Sequence, residues 1–397
     1  MRVLVVHNDY VSANPSGERR VVNDDLRNLN AAGVDARPYI RSSDEIQGLT
    51  GAAKAELALR PIYSREDVAK VGQILRDDKI DVLHLHNPYP LISPQVVRVA
   101  DAAGVAVVQT VHNYRMACVN GAFFRDGEIC TRCATKRVPL PAAQFGCYRD
   151  SRAQSVAMTA TLAVHRPTWK LVDRFLPVTP FMIRHLRDVG IPAAQITPKP
   201  NTVDDPGPAT APGRGVLFAG RLVEEKGIGL LLAAWDTFQR AGGGWLDELI
   251  IVGEGPLRTE VERAARALPG VRYLGPVPGE RVGELMRASA LVAVPSLWFE
   301  GFPMTVLEAY ARGRAVLGTP VGSVGTVVDG EVGWRADGTE PEDLAAALAQ
   351  VDSLTAARRG AAARARFETS YTPEVVTKQL IAIYEDVLAL RARRPRA

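Results

Sequence analysis

Cysteine is scarce in this sequence, with 4 among 397 residues, and long apolar runs and a strong charge imbalance are absent. Because no apolar run is long enough to span a bilayer, spanning helices are excluded. The net charge of +4 is too small to indicate a nucleic-acid partner. The start MRVLVVHNDY lacks the long apolar stretch and small-residue cleavage site of a secretory signal. We therefore expect a cytoplasmic protein whose cysteines form no disulfide framework.

The length and composition indicate a folded protein with more than one domain. A chain of 397 residues exceeds what one ordinary core accommodates, so two domains are expected. Hydrophobic residues make up 47% and charged residues 23%, which is typical of a globular rather than a disordered chain.

Apolar runs of strand length alternate with stretches of helical periodicity in both halves of the chain. The strand candidates in the first half are RVLVVH (2–7), DVLHLHN (81–87) and VAVVQTVHNY (105–114). Those in the second half are GVLFAGRL (215–222), ELIIVGEG (248–255), VRYLG (271–275), ALVAVPS (290–296), RAVLGTP (314–320) and VGWRA (332–336). Repeated strand, helix, strand patterns predict parallel sheets with helices on both faces.

The predicted fold class is α/β, with two Rossmann-like, doubly wound domains that face each other across a cleft. We expect an N-terminal domain over 1–200 and a C-terminal domain over 201–370. Residues 371–397 are expected to form a helix that packs back toward the N-terminal domain, with a solvated basic end after Leu390. The stretch 197–215 is rich in proline and glycine and suits a linker. Ligands bind such sheets beyond the carboxyl ends of the strands.

The stretch PSLWFEGFPMTVLEAYARG carries two carboxylates in different settings. Pro303 is expected to open a helix that stops at Gly313, which places the loop 299–302 at a helix N-terminus suited to phosphate. Glu300 in this loop can reach a neutral polyol, and Glu308 in the helix can accept two adjacent hydroxyls. A sugar joined to a nucleoside diphosphate offers these groups. The alternative is that both glutamates are merely solvated.

The loop GRLVEEKG follows the first strand of the second half and contains two cations, Arg221 and Lys226. Both can face a diphosphate and stabilise it as a leaving group. The alternative is a surface pair of cations neutralised by Glu224 and Glu225. The following GEGP (253–256) offers glycines for close backbone approach.

The first half contributes a glycine loop and a histidine at strand ends. Gly17, in the sequence PSGERR, can let backbone amides meet phosphate, although the loop is not the G-x-G-x-x-G of dinucleotide oxidoreductases. His112 ends the strand VAVVQTVH, where its side chain would point into the cleft. A structural role for this histidine is the alternative.

Together these motifs resemble the retaining glycosyltransferases of family 4, which have the GT-B fold. The resemblance rests on GRLVEEKG (220–227), GEGP, and FEGFPMTVLEA with Glu300 and Glu308 as an E-x7-E motif. It implies that the catalytic residues are His112 beside the sugar, Glu300 on the transferred sugar, and Arg221 and Lys226 on the diphosphate. The donor site that it implies comprises Gly17, Arg221, Lys226, Gly301, Phe302, Pro303, Leu307 and Glu308, with Glu308 on the ribose.

The resemblance also implies the reaction and its partners. The acceptor, a glycan or a lipid-linked molecule, would attack the same face from which the diphosphate leaves, with no catalytic metal. The chain departs from many relatives in having one glycine in the first loop, and Gly325 and Thr326 where a glutamate is common. The alternatives are a sugar-nucleotide epimerase or phosphorylase on the same fold, a non-catalytic sugar-nucleotide binding protein, and a zinc-containing nucleic-acid binder.

All four cysteines fall in one insert, residues 118–147, as Cys118, Cys130, Cys133 and Cys147. The C-x2-C knuckle is typical of half a zinc site, and two further thiolates would complete a tetrahedron. We therefore predict a structural zinc ion that holds together an insert without its own core. The insert is expected to shape the choice of acceptor. Four free thiols or one redox pair are the alternatives.

The segment after Cys147 alternates basic and apolar residues. Its cations include Arg149, Arg152, Arg166 and Lys170. One interpretation is a helix that rests on the anionic inner face of a membrane, near a lipid-linked acceptor. The other is an ordinary amphipathic helix packed on the core.

Overall fold

The computed structural model describes residues 1–11, 17–48 and 50–393, with no side-chain detail for 52–55. The described chain forms two compact units. The first comprises Met1–Phe123, Cys130–Asn201 and Pro373–Ala397, and the second comprises Phe124–Ile129 and Thr202–Thr372. The last helix therefore belongs to the first unit.

The first unit is built on a five-stranded, all-parallel sheet of order β2-β1-β3-β4-β7. Its strands are β1 (Arg2–Asp9), β2 (Asp35–Ser42), β3 (Val82–Leu85), β4 (Ala106–Val111) and β7 (Arg174–Pro177). Three of them occur where apolar runs predict strands. Strands β2 and β7 are not predicted from the sequence, because β2 is an edge strand with a largely polar sequence and β7 is only four residues long.

Helices of the first unit cover this sheet and bury a common core. They are α1 (Gly17–Ala31), α2 (Gly51–Leu59), α3 (Arg65–Asp77), α4 (Gln95–Ala102), α5 (Leu140–Phe145), α6 (Arg152–His165), α7 (Phe181–Asp188) and α15 (Pro373–Ala392). Leu380, Tyr384 and Val387 of α15 share one buried apolar cluster with Val3 and Val5 of β1. The final helix thus completes the core that the first strand begins.

The end of α15 differs from the solvated basic tail that the sequence suggests. The Arg391 guanidinium lies 2.6 Å from Asp173 and 2.9 Å from Asp101. These ion pairs fix the last turn of the helix, because a carboxylate at the end of α4 and one just before β7 share one planar cation. The tail 394–397 lies outside the described residues.

The second unit is built on a six-stranded, all-parallel sheet of order β10-β9-β8-β11-β12-β13. The strands are β8 (Gly215–Ala219), β9 (Glu248–Val252), β10 (Val271–Tyr273), β11 (Ser289–Val294), β12 (Ala315–Gly318) and β13 (Gly333–Arg335). The helices are α8 (Ile228–Arg240), α9 (Arg258–Ala267), α10 (Gly279–Ala288), α11 (Met304–Ala311), α12 (Gly322–Val327), α13 (Pro341–Ala349) and α14 (Ser353–Ser370). All six strands occur where the sequence predicts them, because apolar runs of this length suit a sheet buried on both faces.

Part of the cysteine insert packs into an apolar cluster together with residues outside the insert. This cluster is made of Tyr89, Val119, Cys133, Ala142, Tyr148, Met158 and Leu162. Within the insert, β5 (Phe124–Arg125) and β6 (Glu128–Ile129) form an antiparallel hairpin. Because α6 contributes two residues to the cluster, the insert and the helix after it form one packed layer.

No helix in the described part of the chain combines the length and the apolar character needed to cross a membrane.

Candidate functional site

In the second unit, the loops that follow neighbouring strands meet at one edge of the sheet. Gly227, after β8, has φ +70°, and a Cβ there would lie 1.9 Å from the carbonyl oxygen of Pro295 after β11. Gly253, after β9, would bring a Cβ within 1.8 Å of the Gly220 carbonyl oxygen. Only glycine fits such contacts. The glycines of the sequence motifs therefore join the loops to one another and assemble the candidate site.

This packing brings Lys226 and Glu300 together although 74 residues separate them. The Lys226 ammonium donates to Glu300 Oε1 at 2.7 Å, and the Ser296 hydroxyl donates to the same oxygen at 2.7 Å. The Glu300 side chain is only 6% exposed, whereas Lys226 is 24% exposed. The ammonium also lies 5.7 Å from the centre of the Trp298 ring. The pair thus consists of a buried carboxylate and a cation with access to solvent.

The protonation state of Glu300 follows from this pairing. Burial by itself would raise the pKa of the Glu300 carboxyl, but the charge of Lys226 and the hydrogen bonds from Lys226 and Ser296 outweigh it, so the pKa is lowered. Glu300 is therefore ionised at neutral pH. An ionised carboxylate is a strong acceptor for sugar hydroxyls.

Arg221 has a different setting from Lys226. Its guanidinium lies 3.1 Å from Glu225 and is 63% exposed. This contact matches the surface pairing considered as the alternative for these cations, whereas Lys226 has a partner from another loop. An exposed ion pair of this kind contributes about 0–1 kcal/mol, so Arg221 exchanges Glu225 for another anion at little cost.

Helix α11 starts and ends close to the predicted positions. Pro303 occupies the residue before the first helical turn, with φ −69° and ψ 109°, rather than the first helical position. Gly313 has φ +65° just beyond the helix end, as a helix stop requires. Thr305 in the first turn reaches the carbonyl oxygen of Ala219 at the end of β8. Glu308, partly exposed, lies on this helix.

The remaining predicted donor residues surround the start of α11. Phe302 and Pro303 are buried, Gly301 is half-buried, and Leu307 is fully buried in the helix. Phe302 packs edge-on against Tyr371 with 5.7 Å between ring centres. Packing of Phe302 and Leu307 fixes the loop and the helix to the rest of the unit.

In the first unit, His112 follows β4 and pairs with a second histidine. His86 Nδ1 and His112 Nε2 are 2.9 Å apart, so one ring donates and the other accepts. His86 follows the neighbouring strand β3, which is why the two rings meet. His86 Nε2 is buried without a hydrogen-bond partner in the described chain, 4.0 Å from Asp25.

A buried polar network surrounds this histidine pair. Lys199 donates to both oxygens of Asp25, at 2.7 and 2.6 Å. The Tyr384 hydroxyl lies 2.6 Å from His84 Nδ1, and Thr110 lies 2.8 Å from His84 Nε2. The sequence analysis missed these residues. The signal was present in VLHL followed by His86, because alternate strand residues share one face.

The histidines of this network are neutral. Burial holds the pKa of His84, His86 and His112 well below the usual value, with smaller contributions from Lys199 and, for His86 and His112, from neighbouring imidazoles. A neutral His112 carries hydrogen-bonding nitrogens and no positive charge.

Gly17 is the first residue of α1, and the preceding loop residues Pro15 and Ser16 lie outside the described residues. The next residue, Glu18, accepts a hydrogen bond from the Asn113 side chain at 2.8 Å. The start of α1 is thus joined to the residue that follows His112.

The structure does not show the predicted zinc site at the four cysteines. In the parts of the chain that are described, no group of three or more histidine, cysteine or acidic side chains is placed to hold a metal. The Cys118 thiol donates to Asn120 Oδ1 at 2.9 Å, and no cysteine forms a disulfide. Burial, together with the charge of neighbouring thiolates, raises the pKa of the Cys133 thiol to about 11. The predicted structural zinc is therefore not supported.

Comparison with known proteins identifies the chain. Residues 16–202 match the family described as "Glycosyl transferase 4-like domain", and residues 213–352 match "Glycosyl transferases group 1". The D-inositol 3-phosphate glycosyltransferase of Acidothermus cellulolyticus is 32% identical over 341 residues, which cover 78% of this chain and 68% of that protein. The chain is a family 4 glycosyltransferase.

Further comparisons agree with this assignment. The phosphatidyl-myo-inositol mannosyltransferase of Mycobacterium tuberculosis (strain H37Rv) is 27% identical over 344 residues, covering 82% of this glycosyltransferase and 78% of the relative. Among solved structures, Anabaena HepE in complex with UDP superposes with a TM-score of 0.65 at 15% identity, covering 97% of this chain and all of HepE. The likeness to HepE shows the GT-B fold. The predictions of a GT-B fold and of a glycosyltransferase are confirmed.

Proposed function

We propose that this glycosyltransferase moves a sugar from a nucleoside-diphosphate sugar to a glycan or lipid-linked acceptor, with retention of configuration. The observation that carries the proposal is the buried Glu300 held by Lys226 at the strand ends of the second unit, beside the start of α11. A carboxylate, a cation and a helix start in one place suit the sugar, the diphosphate and its phosphate oxygens. HepE has also been solved with UDP-glucose, which supports a donor of this class.

The proposed roles follow the chemistry of each group. Lys226 and Arg221 bind the diphosphate, and Glu300 with the backbone of 301–303 holds the transferred sugar. Glu308 accepts the ribose hydroxyls. His112, neutral because burial lowers its pKa, accepts or donates a hydrogen bond to the sugar near the anomeric carbon. Gly17, at the start of α1, is assigned to the diphosphate.

The proposed reaction needs no protein nucleophile. The bond between the anomeric carbon and the phosphate oxygen breaks as the acceptor oxygen forms its bond on the same face. The departing phosphate oxygen takes the proton from the acceptor hydroxyl. Negative charge grows on the diphosphate during this step, so a cation at Lys226 stabilises the transition state more than the bound donor. No catalytic metal is required by this scheme.

We also propose that the acceptor is reached at a membrane surface. Large apolar side chains of α5 and α6 are exposed: Leu140 at 65%, Phe145 at 40%, Val156 at 56% and Val164 at 51%. Basic residues flank them in sequence, which is the combination that binds anionic interfaces. The mannosyltransferase relative is named for a phosphatidylinositol acceptor.

Two measurements test the proposed function. A panel of nucleotide sugars is screened by thermal shift, since a donor that binds the folded protein raises its melting temperature. The stabilising donor is then incubated with acceptors, and NMR coupling constants report the configuration of the product.

Release of the nucleoside diphosphate with an unchanged anomeric configuration in the product supports the proposal. Conversion of the donor to an epimer without transfer would instead assign an epimerase. Binding of every donor without turnover would assign a sugar-nucleotide binding protein. Inversion at the anomeric carbon would refute the retaining step.

A further inference from the structure

A cavity of about 260 Å³ opens in the first unit beside the cysteine insert. It is lined by Met116, Ala117, Lys136, Arg137, Pro139, Leu162, Arg166, Trp169, Lys170, Val189, Gly190 and Ile191. The lining comes from the insert, from the end of α6, from the 3₁₀ turn Thr168–Leu171 and from the residues that follow α7. Its size lies just below that of ordinary small-molecule sites, so it holds a small charged group and not a whole glycan.

Charge is the main property of this cavity. Four of its lining residues are cations, namely Lys136, Arg137, Arg166 and Lys170, and the lining includes no carboxylate. In the described part of the chain, none of the four lies within ion-pair distance of an acidic group. The Arg166 guanidinium instead donates to the backbone carbonyl of Lys136 at 3.0 Å. Clustered like charges repel one another, so an anion between them relieves this repulsion.

Trp169 supplies a second reason for a ligand. It is 3% exposed, and its indole N–H has no hydrogen-bond partner within the described residues. A buried N–H donor without a partner is destabilising, because it has lost its hydrogen bond to water. An oxygen of a ligand in the cavity would accept this hydrogen bond, because Trp169 forms part of the cavity wall.

The cationic cavity borders the histidine pair. Met116 and Trp169 also line a smaller cavity of about 30 Å³, whose wall includes His86 and His112. The side chains of Met116 and Trp169, which line both cavities, therefore stand between a group bound among the four cations and the cavity at His112. This is where an acceptor can place one anchoring group while it presents a hydroxyl nearby.

We infer that this cavity is an acceptor subsite that binds a phosphate group, carried by a phosphorylated polyol or by the head of a phospholipid. Its part in sugar transfer rests on the proposed function, whereas phosphate binding itself does not. Arginine and lysine bind phosphate oxygens through charge-assisted hydrogen bonds. The cavity thereby selects phosphorylated acceptors over neutral ones.

The test measures the binding of glycerol 3-phosphate by calorimetry at low ionic strength, with glycerol as its neutral counterpart. The double variant Arg166→Ala/Lys170→Ala removes two lining cations. Its matched control is Arg184→Ala/Arg187→Ala, which removes two exposed α7 cations outside the cavity. We expect the cavity variant to weaken binding at least tenfold and the control less than threefold.

Trp169→Phe is the second variant, because it keeps the ring and removes only the N–H donor. We expect it to weaken binding of the probe several-fold. Equal affinity of glycerol and glycerol 3-phosphate, or equal loss in the cavity and control variants, would overturn the inference.

Two further experiments identify the source of the phosphate and test the proposed function independently of the phosphate subsite. If vesicles of phosphatidylglycerol compete with glycerol 3-phosphate and phosphatidylcholine vesicles do not, the ligand is a lipid head group. Absence of competition with intact probe binding identifies a soluble phosphate ester. Donor binding in the second unit, followed by thermal shift, should be the same in all variants. If the parent protein bound no donor, this would contradict the proposed function but not the phosphate subsite.

Discussion

Replacing Lys226 by alanine is expected to destabilise the second unit because it leaves the Glu300 carboxylate buried without its cation. The two groups are 2.7 Å apart and the carboxylate is 6% exposed. Breaking a buried pair costs about 3–5 kcal/mol, and the partial exposure of Lys226 places this case near 3 kcal/mol. For a domain of this size, that loss lowers the melting temperature by roughly 6–12 °C.

A surface ion pair with the same separation provides the control. Arg240 and Asp236 are also 2.7 Å apart, but the arginine is 78% exposed. Arg240→Ala should therefore cost less than about 1 kcal/mol. Chemical and thermal unfolding of both variants beside the parent protein measure the difference. Equal, small losses in the two variants would refute the claim that Glu300 lies in a low-dielectric site.

The pH dependence gives the same prediction a second, independent reading. In the parent protein the pKa of Glu300 is lowered despite its burial, so the pair contributes stability above the unfolded pKa of about 4.3 and loses it as the pH falls through the folded value. Without Lys226, burial raises the folded pKa above the unfolded one, and acid then neutralises the stranded charge. The gap between variant and parent should be largest at neutral pH and should narrow toward pH 4.3. A gap independent of pH would contradict this.

Four other outcomes are expected. Below about pH 6.5 the free energy of unfolding of the first unit should fall by up to about 4 kcal/mol per pH unit, because His84, His86 and His112 are held neutral. Urea unfolding from pH 7 to 5.5 measures this slope. An unchanged slope in His84→Gln would contradict the claim that these histidines are neutral in the folded protein. Glu308→Ala should weaken donor binding by about 1–3 kcal/mol while kcat changes less than threefold; calorimetry and kinetics check this, and a pure loss of kcat would remove the ribose role. Lys226→Ala should reduce kcat more than donor affinity, and the opposite pattern would assign Lys226 to ground-state binding. Addition of EDTA should leave transfer within about twofold of its rate, because Arg221 and Lys226 supply the positive charge; loss of activity restored by a divalent cation would argue against this scheme.

The sheets and the donor-side motifs could be predicted because their signals are local. Buried parallel strands are continuous apolar runs, and the loop carrying Lys226 and the loop carrying Glu300 follow two of them directly. Strand β2 was not predicted because its sequence is largely polar and half-exposed at the sheet edge. The pairing of Lys226 with Glu300, rather than with Glu224 or Glu225, depends on β8 and β11 being neighbours. Strand order is a tertiary property that no short window of sequence contains.

The histidine network and the insert show the same limit more strongly. Asp25, His86 and Lys199 lie far apart in the sequence, and each by itself reads as an ordinary polar residue. Their union depends on which strand ends meet. The four-cysteine pattern predicted a metal because thiol spacing is a local signal. The apolar cluster that packs the insert draws on Tyr89 and α6, which lie outside it in the sequence.

The first unit is assembled from segments on either side of the second unit in the chain, with Tyr384 of α15 hydrogen-bonded to His84. During translation, every segment of the second unit is therefore synthesised before the helix that closes the first unit's core. Until then Val3 and Val5 lack the apolar cover that Leu380 and Val387 provide. A chain truncated before residue 373 would contain every residue of the second unit but an incomplete first unit, and separate expression of 1–201 would leave the same surface bare.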